Sequence, residues 1–210
     1  NLDSSLKDKI SWEKLDLRKP KSIILLVKNL IKKKYKIKIL INNASYSYRG
    51  KFFKYNQNNL DEELWGTFAG SMFLTEKILP LLRKNKNSKV IFTGSLWGNT
   101  TPRYNIYRNL DIGPSPIICA GKSAIMQYAK LLAEREASNG IMVNSLLPGW
   151  FPRKGKIERK DYMNRIKKNI PLRRIGLLND LSSAVEFLLS DDTKYMTGQE
   201  IIIDGGYSLS

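Results

Sequence analysis

The chain has 210 residues, 42% of them hydrophobic, and a formal net charge of +17 with no histidine. That length and apolar content suit one soluble domain with a sizeable core, and the lysines that interrupt every apolar run exclude a membrane span. A single cysteine, Cys119, excludes an internal disulfide framework and suits a reducing compartment, so the cytoplasm is the expected location.

Pro20 opens a run in which Ile23, Leu26, Val27, Leu30 and Ile31 recur at helical spacing. The β-branched run 37–41, IKILI, then predicts a strand that ends in NNAS. A long helical segment over about 60–84 leads to a second strand, KVIFTGS at 89–95. After an irregular stretch, the segment 115–136 reads as an amphipathic helix carrying Lys122. The strand IMVNSLL at 141–147 is broken by Pro148-Gly149. A last helix near 180–190 precedes the strand EIIID at 200–204 and a Gly-Gly turn. Strands separated by helices of this length imply right-handed crossovers and a parallel sheet covered on both faces. The fold class is α/β, a three-layer α/β/α sandwich. Ligands of such sheets bind beyond the carboxyl ends of the strands. Asn42-Asn43, Ser95 and Pro148-Gly149 all fall where a strand ends, although ordinary turn chemistry selects the same residue types.

The positive charge is spread along helices and strand ends in a chain rich in Lys, Asn and Ile. No basic stripe is interleaved with aromatics, so nucleic acid is not the expected partner. One local excess stands out. Residues 153–174 carry ten Lys/Arg against two acids, which reads either as a solvated helix or as a surface for an anionic substrate.

Five stretches in order resemble the short-chain dehydrogenase/reductase family. LDL at 15–17 resembles the strand end whose aspartate contacts adenine, ILINNAS the family's Asn-Asn-Ala-Gly signature, and VIFTGSLWG the strand bearing the active-site serine. IMVNSLLPGWFP resembles the strand and Pro-Gly turn that close over nicotinamide, and the ending from PLRRIG to IIIDGGYS is similar to the family's own. The resemblance runs from about residue 12 to the C-terminus. It implies a doubly wound Rossmann-type sheet, an NAD or NADP cofactor, a small carbonyl or alcohol substrate, and a homo-oligomer. Asp16, Leu17, Asn42, Ala44, Lys122, Pro148, Gly149 and Phe151 are the implied cofactor contacts, and Ser95, Lys122, Thr67 and Ile118 occupy the four catalytic positions. The segment 99–112, between Ser95 and Lys122, resembles an inserted loop of members associated with bacterial surface-glycan biosynthesis, which suggests a sugar as substrate.

The family's chemistry moves a hydride while a tyrosine phenol exchanges a proton with the substrate oxygen. A lysine one helical turn away lowers the phenol pKa, since residues i and i+4 share a face. Here Ser95 and Lys122 are present, but the tyrosine position is Ile118 and the asparagine position, counted from Gly70 and Pro80, is Thr67. A threonine hydroxyl can hold a water; an isoleucine carries no proton, and reads as an apolar residue packing on the core. Tyr104 and Tyr107, in the inserted segment, are the phenols that this reading offers as replacements.

The family's glycine-rich turn, which cradles the cofactor pyrophosphate at a helix N-terminus, has no counterpart in these 210 residues. Family members order their strands 3-2-1-4-5-6-7, so residues 1–210 read as one partial domain lacking the first two strands. The first residue is Asn rather than Met, consistent with a piece of a longer protein; a degenerate copy is the other expectation. IKILI then becomes an exposed sheet edge. Three functions follow: an NAD(P)-dependent oxidoreductase, a catalytically impaired relative keeping a scaffold or binding role, and, last, a nucleic-acid-binding protein.

Overall fold

A computed structural model of the chain describes residues 9–47, 54–110, 113, 115–152 and 159–209. Residues 153–158 of the basic segment, Arg153 and Lys154 among them, therefore lie outside the described residues.

Four parallel strands form one sheet in the order β1-β2-β3-β4, with β1 Ile39–Asn42, β2 Ser88–Thr93, β3 Ile141–Pro148 and β4 Glu200–Ile203. All four coincide with the strands read from hydrophobic runs. The pleat sends alternate residues to opposite faces. Val90, Phe92, Val143 and Leu147 pack under helices α1 (Pro20–Lys32), α3 (Gly70–Leu82) and α5 (Pro116–Glu136), through Ile23, Leu74, Ile78, Leu79, Ile125 and Leu132. On the other face Ile91 and Leu146 meet Leu188 of α7 (Leu178–Leu189). This is the expected three-layer arrangement.

Lys89 alternates onto the α7 face, where an apolar residue is the ordinary choice, and is buried. Its ammonium donates to the carbonyls of Leu188 and Ser190 and to Thr193 Oγ1, so it closes the carboxyl end of α7. Burial nevertheless pulls its pKa down.

The long helical segment is two helices joined by a wider turn. α2 (Gln57–Leu64) runs into a π-helical turn, Trp65–Ala69, and then α3. The local cause is the loop after β1: Tyr46 N–H donates to Gly66 O at 3.1 Å, which takes that carbonyl out of the helical ladder. Gly66 is required there, because a Cβ would stand 2.4 Å from Tyr46 Cβ.

Leu15–Leu17 is not a strand. Among the described residues it pairs with none, since in the family order its neighbour is the second strand and not β1. The segment bends into a turn at Leu17 and Arg18 and anchors through Leu17, which packs into the core. β1 stands at the sheet edge as expected, with Ile39 and Ile41 39% and 45% exposed. Among the described residues no helix is long and apolar enough to cross a membrane.

Candidate active site

The carboxyl ends of β1, β2 and β3 converge on one side of the sheet, and α5 begins on that same side. Asn42 closes β1 with its side chain buried, donating from Nδ2 to Thr75 Oγ1 at 3.0 Å. Thr93 closes β2 and donates from Oγ1 to Asn43 Oδ1 at 3.0 Å, tying the two strand ends together. Ala44, in the loop beyond, is exposed.

Ser95 follows as N-cap of the short helix α4 (Leu96–Asn99), its Oγ accepting from Trp97 N at 3.2 Å. That bond uses a lone pair and leaves the hydroxyl proton for a ligand. α4 then lies directly on α5: a Cβ on Gly98 would come within 2.8 Å of Lys122 C and 2.7 Å of Met126 Sδ. Close approach of these helices fixes Ser95 and Lys122 relative to each other.

Lys122 is buried, and its Nζ donates to Thr93 O at 2.6 Å. Burial alone lowers its pKa to about 8, so the ammonium persists at neutral pH but is easily discharged above it. An ammonium has three donors, and the described residues give it this one hydrogen bond. Ser95, Lys122 and the ends of β1 and β2 are thus brought to one end of the sheet.

Three of the expected positions have surroundings that the sequence did not show. Ile118 is not a core residue: it is only partly buried and belongs to none of the buried clusters, because the first turn of α5 rises beyond the sheet. Thr67 is buried in the π turn and packs against Gly121, where a Cβ would stand 2.9 Å from Thr67 Cγ2. Its hydroxyl donates to Tyr46 O at 2.9 Å, which directs the proton toward the β1 loop and not along a water relay to Lys122. Asp16 accepts from Arg18 N, Nε and Nη2 at 3.0 Å each, and the guanidinium holds its carboxyl below the usual carboxylate range. Arg18 also stacks on the Tyr46 ring, 4.7 Å from its centroid, so Asp16 serves this brace.

At the end of β3, Pro148 and the following Gly149 are half-buried, and a Cβ on Gly149 would meet Asp204 Cα at 2.6 Å. The Phe151 ring packs over Gly176, whose added Cβ would lie 2.4 Å from Phe151 Cε1. Trp150, Phe151, Gly176 and Asp204 line a recess of about 250 Å³.

The inserted segment supplies a wall. Tyr107 belongs to a buried cluster with Leu96, Ile106, Tyr162, Ile166, Ile170 and Tyr207, and its ring meets those of Trp150 and Tyr162. Burial, reinforced by Tyr162 and Tyr207, drives its pKa upward. Tyr107 is therefore a packed aromatic, and Tyr104 is 54% exposed at the surface. Tyr162 and Ile166 come from α6 (Lys160–Asn169), within the basic segment. Sequence reasoning missed another phenol, Tyr55, whose oxygen lies 2.8 Å from Ser115 Oγ. The visible signal at that place was Ser115-Pro116, a cap followed by a first-turn proline.

Comparison with known proteins agrees with this geometry. A family model described as enoyl-(acyl carrier protein) reductase matches residues 1–208. The chain is 29% identical over 203 residues to oxidoreductase UcpA of Escherichia coli O157:H7, covering 92% of this chain and 74% of that protein. It is 28% identical over 195 residues to the 3-oxoacyl-[acyl-carrier-protein] reductase FabG of Buchnera aphidicola subsp. Schizaphis graminum, covering 91% and 75%. Among solved structures, a short chain dehydrogenase from Leptospira borgpetersenii serovar Hardjo-bovis with bound NAD+ superimposes with a TM-score of 0.87 at 27% identity, covering 99% of this chain and 78% of that one.

Proposed function

This chain belongs to the short-chain dehydrogenase/reductase family, and from that membership we propose that it works as a nicotinamide-dependent oxidoreductase on a small carbonyl or alcohol. The observation that carries the reading is Lys122, a buried ammonium at the carboxyl end of β2, held on Thr93 O beside Ser95. A bare structural lysine gains little from such burial, whereas a ribose diol would accept its remaining donors.

The residues fit one half of the cofactor. Lys122 would hold the nicotinamide ribose, with Asn42, Ala44, Pro148, Gly149 and Phe151 around it. The adenine half is less well served: Asp16 is already engaged by Arg18, and these 210 residues contain no glycine-rich turn for the pyrophosphate. When bound, the nicotinamide ring takes or supplies the hydride. Ser95 donates its hydroxyl proton to the substrate oxygen and fixes the carbon at which transfer occurs. The wall of Tyr107, Trp150 and Tyr162 excludes water from one side.

A sugar-derived substrate rests on the inserted segment, and an anionic one on the cations of α6 and the chain after it. A cytoplasmic location agrees with the single free thiol of Cys119. The reading is tested by following absorbance of the reduced nicotinamide with NAD+ or NADP+ and a panel of secondary alcohols and sugars. Turnover that disappears in Lys122→Ala and Ser95→Ala is expected; turnover indifferent to both substitutions would overturn it.

A further inference from the structure

Two hydroxyls and a carboxylate meet where α5 begins. Tyr55 immediately precedes Asn56, the N-cap of α2, and its phenol oxygen lies 2.8 Å from Ser115 Oγ. Ser115 is the N-cap of α5; its Oγ accepts from the N–H of Ile118 at 3.2 Å and retains its own proton to donate. The Tyr55 phenol also hydrogen-bonds the side chain of Glu63, which is completely buried. A carboxylate out of water is costly unless it is used or paired. Ser115 stands just before the first turn of α5, two turns ahead of Lys122 on the same helix. Both α2 and α5 start at the carboxyl ends of the strands, where the cofactor and substrate of this family meet. Glu63, Tyr55 and Ser115 thus form a continuous run from the interior to the start of α5, where Ser115 bonds the N–H of Ile118, the position from which the phenol is missing.

We propose that Ser115, Tyr55 and Glu63 form a proton path serving the substrate oxygen in place of the tyrosine absent at Ile118. The path rests on the oxidoreductase reading above. In the alcohol-oxidising direction, the carbon gives its hydrogen with both electrons to the oxidised nicotinamide. The substrate hydroxyl proton passes to Ser115 Oγ, the Ser115 proton to the Tyr55 oxygen, and the Tyr55 proton to the Glu63 carboxylate. The alcohol is oxidised, the nicotinamide reduced, and one proton ends on Glu63; carbonyl reduction runs the same path in reverse. Burial raises the Tyr55 pKa, which suits a phenol that hands protons on and never stands as a phenolate. Among the described residues Cys119 also faces Tyr55, and burial pushes its thiol up as well.

Infrared spectroscopy of the protein without cofactor separates the path from the activity. The carboxyl band that Glu63→Gln deletes should shift in Tyr55→Phe and stay in place in Cys119→Ser. With NAD+ or NADP+ and the alcohol panel, Tyr55→Phe should lower kcat about 10²-fold with little change in KM, the usual worth of a positioned proton carrier. Ile118→Tyr in the Tyr55→Phe background should restore it. An unmoved Glu63 band, or wild-type kcat in Tyr55→Phe, overturns the path and leaves the oxidoreductase reading standing. A shifted band in a protein that turns over no alcohol overturns the oxidoreductase reading, and with it the catalytic use of the path.

Discussion

Arg165 of α6 donates from Nε to the carbonyl oxygen of Ile106 at 2.8 Å, which ties α6 to the inserted segment. The same guanidinium reaches Arg108 O at 3.2 Å, and Arg103 returns the tie by donating to Asn169 Oδ1 at 3.0 Å while stacking on Tyr207. The fork of a guanidinium suits two carbonyls at once, which a lysine could not span.

Arg165→Gln should therefore loosen the wall before it unfolds the protein. Losing charge-assisted bonds to two carbonyls costs about 1.5–3 kcal/mol locally. Hydrogen exchange around Ile106 and proteolysis between residues 99 and 112 should both accelerate, with protection of β2 and β3 unchanged. Uniform loss of protection across the sheet would show that Arg165 supports the whole fold instead.

Lys89→Met should be among the more damaging single changes outside the site. It leaves the carbonyls of Leu188 and Ser190 and the Thr193 hydroxyl without their shared donor. A loss of roughly 2–4 kcal/mol is expected, lowering Tm by about 5–15 °C in calorimetry. A melting temperature equal to that of the wild type would mean that water replaces the ammonium without penalty.

Lys122 makes the pH dependence specific. Its folded pKa of about 8 lies below the 10.5 of the free side chain, so between those values the unfolded chain binds more protons. Stability then rises with pH through that window, and the full penalty, on the order of 2–3 kcal/mol, applies below it. Urea unfolding of the wild type and Lys122→Met across pH 7–10.5 isolates the effect from the other lysines. The wild type should gain on the variant as pH increases; parallel curves would refute the assigned burial penalty.

Dinucleotide binding by this 210-residue chain should be weak, with Kd near the millimolar range, about −4 kcal/mol. Lys122 and the strand ends serve the nicotinamide riboside, but no run of glycines cradles the pyrophosphate. Calorimetric titration with NAD+ and NADP+ measures this directly. Micromolar affinity would mean that other backbone donors bind the phosphates.

Much of this architecture is legible in the residues. Alternation of Val90, Ile91 and Phe92 is a local property of β2, and so is the helical spacing of Ile23 and Val27. Leu15–Leu17 misled because being a strand requires a neighbour, and no local pattern reports whether one is there. Ser95 and Lys122 were recognisable through the family resemblance of the stretches that carry them. Tyr55 was not, since its partner Ser115 is 60 positions away and the contact depends on how α2 meets α5. The direction of the Thr67 hydroxyl was equally hidden, because it follows from the widened turn around Gly66.

That widened turn has a consequence for the angles between elements. In an α-helix each residue advances the chain by 100°, and a π turn absorbs an extra residue, so Trp65–Ala69 acts as a phase shifter between α2 and α3. The phase of α3 is pinned to the core by Leu74, Ile78 and Leu79. Removing one residue from the turn would therefore swing α2 by about 100° about its axis. Tyr55 and Glu63 would leave α5 together, and the Gly66 carbonyl would return to the helix and release Tyr46. A change of length at this point is a rotation, and that rotation decides whether the Ser115 hydroxyl has a neighbour.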